Sequence, residues 1–285
     1  MQIVTGNARD LGNGFAVSRV VPQVKLRSLG PFVFFDYFGP ARFAPGEGLN
    51  VRPHPHIGLA TVTYLFDGEI MHRDNLGSVQ VIAPGAVNWM TAGRGIVHSE
   101  RTPPEIRAAG HAMHGIQSWV GLPQRDEEAT PSFVHVGAKD LPSKNIDGTT
   151  LHIVAGKAYG LEAPVPTFSP IFYVDAQLKP EASLDLTDEY AERGVFVVGG
   201  TVEIGGARHE PGTMIVFAPE EDVSIATPGG ARVMLAGGAP LDGPRHVWWN
   251  FVSSSKDRIE RAKAEWRENP TGHIDGDDEF IPLPD

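Results

Sequence analysis

Short runs rich in Val, Ile, Thr and aromatic residues recur along the chain, and each is broken by glycine or proline before it grows long. Ala60–Phe66, Val79–Ile82, Ile116–Val120, Leu151–Val154, Ile171–Val174, Gly194–Val198, Thr213–Ala218 and Ala231–Ala236 are such runs. Asp67-Gly68, Pro84-Gly85, Pro211-Gly212 and Pro228-Gly229-Gly230 supply turn residues between them. A β-branched run that ends in a turn dipeptide is the signature of a short strand. The pattern predicts an all-β protein built from many such strands.

The two halves echo each other. The first reads strand, Asp67-Gly68 turn, strands, Pro84-Gly85, strand; the second reads strand, Gly199-Gly200 turn, short strand, Pro211-Gly212, strand. This order recurs in jelly rolls of the cupin kind, so two tandem double-stranded β-helix barrels are expected, with a boundary near Lys139 to Gly148. One helix breaks the pattern. Ser254-Ser255-Lys256-Asp257 has the spacing of a capping box, Ile259, Ala262 and Trp266 give the helix a side to pack on the barrel, and Asn269-Pro270 stops it. The acidic tail from Asp275 to Glu279 is expected to be solvated. The expected domains are 1–140, 141–252, and 253–285 for the helix and tail.

Composition narrows the function. At 285 residues with 41% hydrophobic residues, the chain can bury two ordinary cores. A net charge of −11, with no long basic stripe, argues against direct nucleic-acid binding. No apolar run spans a bilayer, and Met1-Gln2-Ile3-Val4-Thr5-Gly6 has neither the basic start nor the apolar block of a signal peptide. A cytoplasmic location without membrane contact is expected, or a nuclear one in a eukaryote. There is no cysteine, so thiolate ligands, disulfides and cysteine nucleophiles are excluded.

Two short motifs carry candidate chemistry: His54-Pro55-His56 and His98-Ser99-Glu100. Residues i and i+2 of a strand share a face, so two adjacent strands would aim three imidazoles and a carboxylate at one point. Gly58 and Ala60 are expected to continue the first face with small residues, followed by Val62 and Tyr64. The donors His54, His56, His98 and Glu100 suit one divalent transition metal: Fe(II), Mn, Ni, Cu or Zn. Four ligands leave up to two positions open on a six-coordinate ion, whereas a structural zinc site is closed. His72 and Asp74 form another i, i+2 pair, which fits either partners that orient a ligand imidazole or a surface hairpin pair. Gln117 is a candidate for the cavity wall, His111 and His114 read as structural, and Arg94, between two glycines, suits a turn hydrogen bond.

These residues also carry a resemblance. His54-Pro55-His56-Ile57-Gly58, Thr61-Val62-Thr63-Tyr64-Leu65, Trp89 to Gly95 and His98-Ser99-Glu100 resemble the signature of the pirin family of bicupins. Phe34-Phe35-Asp36, His72-Arg73-Asp74, His114 to Val120 and Trp248 to Ser254 extend it. It is dense from His54 to Leu122 and thin from Lys139 to Pro244. The resemblance implies two cupin domains, with iron in the N-terminal one held by His54, His56, His98 and Glu100. In the second half, His209, His246 and His273 form no such pair, so no second metal site is expected.

The resemblance implies two functions of different kinds. One is a quercetin 2,3-dioxygenase, which opens a flavonol or a related enolic or catecholic molecule with O2 and releases carbon monoxide. Glu100 would take the phenolic proton as catalytic base. The other is a non-catalytic regulator, whose metal oxidation state tunes a surface for a protein partner such as a transcription factor or metabolic enzyme. A metal with a purely structural role is a third outcome. Fold alone does not choose among them.

Overall fold

The computed structural model describes residues 1–10, 16–269 and 274–284. They are mostly strand, with two α-helices among the described residues, Pro104–Ala109 and Lys256–Glu268. The apolar runs fall inside strands: Val79–Ile82 is a whole strand, Ala60–Phe66 lies in Leu59–Asp67, and Gly194–Val198 lies in Glu192–Gly200. No helix among the described residues is long and apolar enough to cross a membrane.

The chain divides into two compact units. One comprises Phe38–Ala138 and the chain from Leu241 onward. In it, Asn50–His56, Ile96–Arg101, Ile70–Asp74 and Val79–Ile82 form an antiparallel sheet in that order. Ser132–Val136, Val87–Thr91, Leu59–Asp67 and His111–Gly121 follow one another in a second. Asn50–His56 lies at the edge of its sheet, which is where Pro53 and Pro55 can sit without breaking a ladder. Its register against Ile96–Arg101 slips between His98 and Glu100: His98 faces His54, but Glu100 faces Val51. Arg52 and Pro53 therefore share a β-bulge opposite Ser99.

The chain turns at Gly58, with φ +69°. A Cβ there would lie 1.9 Å from the Val252 carbonyl oxygen, so only glycine fits. This turn corrects the expected continuation of the His54 face through Ala60, Val62 and Tyr64. After it the alternation restarts out of phase, and Thr63 is the residue of Leu59–Asp67 whose side chain reaches Glu100.

The other unit holds Ala16–Tyr37 and Lys139–Pro240, with the N-terminal strand Gln2–Thr5. Its large sheet runs Gln2–Thr5, Thr213–Phe217, Glu192–Gly200, Ala231–Gly238, Ile171–Leu178, Thr149–Ala158, Ser143–Ile146, and Leu161–Glu162 pairs beside Thr149–Ala158. A four-stranded sheet of Ser183–Asp185, Ser224–Ala226, Val202–Ile204 and Ala207–His209 completes it.

Two segments thus belong elsewhere than a consecutive division at 140 and 252 would place them. Gln2–Thr5 pairs antiparallel with Thr213–Phe217, while Phe32 and Phe35 set their rings 5.3 Å and 5.0 Å from Tyr173 and Phe196. From Leu241 the chain returns to the histidine-bearing unit. There Phe251, Ile259, Ala262, Trp266 and Ile274 bury against Ile57 and Val97. Burial of side chains as large as Phe251 and Trp266 contributes about 2–3 kcal/mol each, so the helix is held by packing rather than by propensity.

The helix cap sits one residue later than the motif suggests. Ser255, not Ser254, is the N-cap, and its hydroxyl accepts from the Arg258 N–H at 3.3 Å. Ser254 is taken by buried Glu127, which accepts from its N–H and hydroxyl. Pro270 of the expected stop lies outside the described residues. The acidic tail is not simply solvated: Asp277 is buried and accepts two hydrogen bonds from Arg101, at 2.9 Å and 2.6 Å.

Candidate metal centre

His54, His56 and His98 lie between the two sheets of their unit and are all buried. His54 and His98 are directly opposed across the ladder, and His56 follows two residues after His54 on the same face. The three rings form a nearly regular triangle, with centroids 4.4 Å, 5.0 Å and 5.0 Å apart. The ligand atoms they offer all lie within 4.8 Å of one another, and among the described residues no other group of three or more metal-binding side chains converges so closely. Trp119 of the facing sheet sets its ring edge-on to His56, 5.1 Å away.

Hydrogen bonds decide which nitrogen of each ring faces the others. His54 Nδ1 lies 2.9 Å from the Arg52 carbonyl, and His56 Nδ1 lies 3.1 Å from the Asn250 carbonyl. A carbonyl can only accept, so both Nδ1 atoms carry the proton and both Nε2 atoms are bare acceptors. The bulge at Arg52 supplies the first carbonyl, and the tight turn between His246–Trp248 and Phe251–Ser253 supplies the second. His98 Nε2 is buried with no hydrogen-bond partner. The three ring acceptors offer one another no donor, and a buried polar atom left unpaired, as His98 Nε2 is, costs about 1–3 kcal/mol. A bound cation would satisfy all three, so the donor set fits a divalent transition metal.

Burial also keeps the triad neutral. It lowers His54 to about 4 and outweighs the opposing effect of the Arg52 carbonyl. Burial, and then the neighbouring imidazoles, hold His56 and His98 well below the usual histidine range. Neutral imidazole is the form that binds metal.

Glu100 lies on the His98 strand and is buried, but it is not in the converging group. Its Oε1 is 3.2 Å from the Thr63 hydroxyl, which also lies 2.8 Å from Gln117 Oε1. Burial raises the Glu100 pKa, against smaller lowering effects of His72 and Thr63. The structure thus sets Glu100, Thr63 and Gln117 in one hydrogen-bonded row beside the triad.

His72 and Asp74 are buried rather than on a hairpin surface. They face Glu100 and His98 respectively across the ladder. His72 Nε2 is 2.9 Å from Asp74 Oδ2, His72 Nδ1 is 3.4 Å from His98 Nδ1, and the His72 ring stacks on Phe133 at 4.3 Å. Burial pulls the Asp74 carboxyl upward, but hydrogen bonds from His72 and Ser78 outweigh it and leave it below the usual carboxylate range.

The remaining candidates lie elsewhere. His111 stacks on Phe43 and meets Thr102. His114 sets its ring against Phe66. The Arg94 N–H donates to Ala129 and its carbonyl accepts from Arg258, a turn role. In the second half, His209 lies on its own strand and His246 lies in the terminal hairpin; His273 lies outside the described residues. His152 also falls in that half, on Thr149–Ala158, and joins no metal-binding group. Sequence reasoning missed Thr63, Phe133 and Asn250. Thr63 stands two residues after Thr61 in an alternating strand, a usable signal; Asn250 acts through its backbone and leaves none.

Comparison with known proteins follows the geometry. Residues 14–120 match the Pirin family model and residues 173–272 match that of the Pirin C-terminal cupin domain. The second match covers much of the stretch where the sequence resemblance is thin. A pirin-like protein of Caulobacter vibrioides is 50% identical over 97% of this chain and 96% of its own length. A Pseudomonas aeruginosa protein provisionally named a quercetin 2,3-dioxygenase is 41% identical over 94% of this chain and 84% of its own. The crystal structure of quercetin 2,3-dioxygenase from Acinetobacter baumannii superposes with a TM-score of 0.91 and 32% identity, covering 100% of this chain and 95% of that one.

Proposed function

The chain belongs to the pirin family, an all-β family of two cupin domains, and on that premise we propose that it is a metal-dependent dioxygenase. Its substrates would be flavonols such as quercetin, or a related enolic or catecholic molecule, cleaved with O2 and release of carbon monoxide. The observation that carries this reading is the pairing of three bare Nε2 atoms with a buried carboxylate beside them that the triad does not consume. The names of the Pseudomonas and Acinetobacter proteins support the same substrate class.

His54, His56 and His98 would hold the metal, Fe(II) in this proposal, with Glu100 as the neighbouring carboxylate. When bound, the metal supplies Lewis acidity and a redox path between substrate and O2. The chain's own residues supply proton handling and shape. Glu100, its pKa raised by burial, takes the proton of the flavonol 3-hydroxyl. While Glu100 is ionised, the Thr63 hydroxyl donates to Oε1. Once Glu100 holds the proton, it donates to Thr63, and Thr63 turns its own proton to Gln117 Oε1. Thr63 thus offers Glu100 a donor in one protonation state and an acceptor in the other. Trp119 and the sheet interior keep bulk water away from His56.

The test is O2 uptake and carbon monoxide release with quercetin, using protein loaded in turn with Fe(II), Mn(II), Ni(II), Cu(II) and Zn(II). Release that depends on the metal and disappears in Glu100→Ala is expected. No release with any metal, from protein shown to bind one, overturns the proposal.

A further inference from the structure

Asp74, His72 and His98 form a chain of hydrogen bonds that ends on the bare Nε2 of His98. We infer that Asp74 and His72 are positioning residues that fix the tautomer of His98, so that its Nε2 always faces the metal centre without a proton. The inference rests on the metal-centre reading above, and it assigns work to two residues that do not touch the metal.

The argument runs outward from the carboxylate. Asp74 Oδ1 accepts from the backbone N–H groups of Leu76 at 2.9 Å and Ser78 at 3.0 Å, so the carboxylate cannot rotate. Its other oxygen, Oδ2, faces His72 Nε2 at 2.9 Å. A carboxylate only accepts, so His72 Nε2 must carry a proton. With that as the ring's one proton, His72 presents a bare Nδ1. Against that nitrogen lies His98 Nδ1, at 3.4 Å. His98 must donate across this gap, and a neutral ring that carries its proton on Nδ1 has none on Nε2. Stacking on Phe133, with the planes 14° apart, holds the His72 ring in register.

His98 needs this device more than its partners. His54 and His56 have their tautomers set by backbone carbonyls. His98 has a histidine in that place, and a histidine can present either a donor or an acceptor. Without Asp74 the pair could invert, with His72 donating from Nδ1 and His98 holding its proton on Nε2, where the metal must bind. Partners of this outer kind typically change metal affinity ten- to hundredfold.

The decisive substitution is Asp74→Asn. The amide oxygen can keep the Leu76 and Ser78 N–H groups, which leaves the amide nitrogen to donate to His72 Nε2. His72 must then carry its proton on Nδ1, and His98 is forced to the Nε2–H form. The experiment reads histidine tautomers by 15N NMR on the metal-free full chain, with His98 assigned from His98→Ala, and Zn(II) affinity by competition titration. The wild type is expected to show His98 protonated on Nδ1; Asp74→Asn is expected to move the proton to Nε2 and to weaken Zn(II) about ten- to hundredfold. In His72→Gln the side-chain oxygen can accept from His98 Nδ1, so Asp74→Asn added to it should cause no further loss. Wild-type His98 protonated on Nε2, or an Asp74→Asn variant with unchanged tautomer and affinity, overturns the inference. Protein that binds no Zn(II) while showing the expected tautomers overturns the metal-centre reading instead, and so the two failures are distinguishable.

Discussion

The Asn250 carbonyl lies 3.1 Å from His56 Nδ1, across 194 residues of sequence. The turn that carries it includes Trp249 at φ +51°, a left-handed conformation that costs a bulky residue energy and persists only where its surroundings over-determine it. Phe251 provides that support: it is 1% exposed and belongs to the cluster of Ile57, Ile259 and Trp266. Phe251→Ala is therefore expected to cost about 3–5 kcal/mol by chemical denaturation. It should also weaken Zn(II) binding, because the carbonyl that fixes His56 loses its support. Full stability, or unchanged Zn(II) affinity, would break the link between the C-terminal hairpin and the site.

Acid should destabilise the metal-free protein through the triad. His54 has a pKa of about 4 in the fold against 6.5 for an ordinary histidine. The unfolded chain binds a proton below 6.5 that the folded chain refuses, so stability falls as pH drops from about 6.5 to about 4, where this contribution levels off. That gap is worth about 3 kcal/mol, and His56 and His98 act in the same direction. Glu100 opposes them, since its pKa is raised in the fold and protonation there favours the folded state. Urea midpoints across this range, in wild type and His54→Gln, check the sign. The wild type should fall more steeply.

Thr63 is expected to matter for turnover and little for metal binding. Its hydroxyl serves Glu100 and Gln117. Thr63→Val keeps the shape and removes the hydroxyl. About tenfold lower kcat with unchanged metal content is expected, against a loss of about 10²–10⁴-fold in Glu100→Gln, the range for general-base catalysis. Steady-state quercetin turnover at saturating Fe(II) measures both.

Arg101 ties the acidic tail to the His98 strand. Its two bonds to buried Asp277 and a third to Glu279 at 2.6 Å are charge-assisted. Asp277→Ala should cost about 2 kcal/mol, in the range for hydrogen bonds to charged groups. It should also expose the residues after Ile274 to limited proteolysis at concentrations that leave the wild type intact.

Much of this arrangement was legible in the sequence because strands write their geometry at period two. His54 with His56, and His98 with Glu100, announce shared faces, and β-branched runs such as Val79–Ile82 and Ile171–Val174 announce the strands. The phase of each face was less legible wherever a single residue resets it. Gly58 turned the next strand over, so Thr63 rather than Val62 faces Glu100. The bulge opposite Ser99 altered the register between His98 and Glu100, and one Glu100 oxygen meets Thr63 beside the triangle of rings. Long-range pairings left the least trace. The pattern around Gln2–Thr5 says strand but does not name Thr213–Phe217 as its neighbour, and the Asn250 carbonyl could have belonged to any residue type.

The central claim is that His54, His56 and His98 form a metal centre, and metal content with matched variants tests it most directly. Purified wild-type protein, reconstituted with Fe(II) without oxygen and desalted, should retain one ion per chain. His54→Ala, His56→Ala and His98→Ala should each lose it, while His111→Ala, outside the site, should not. Retention of a full equivalent of iron by all three site variants would contradict the account.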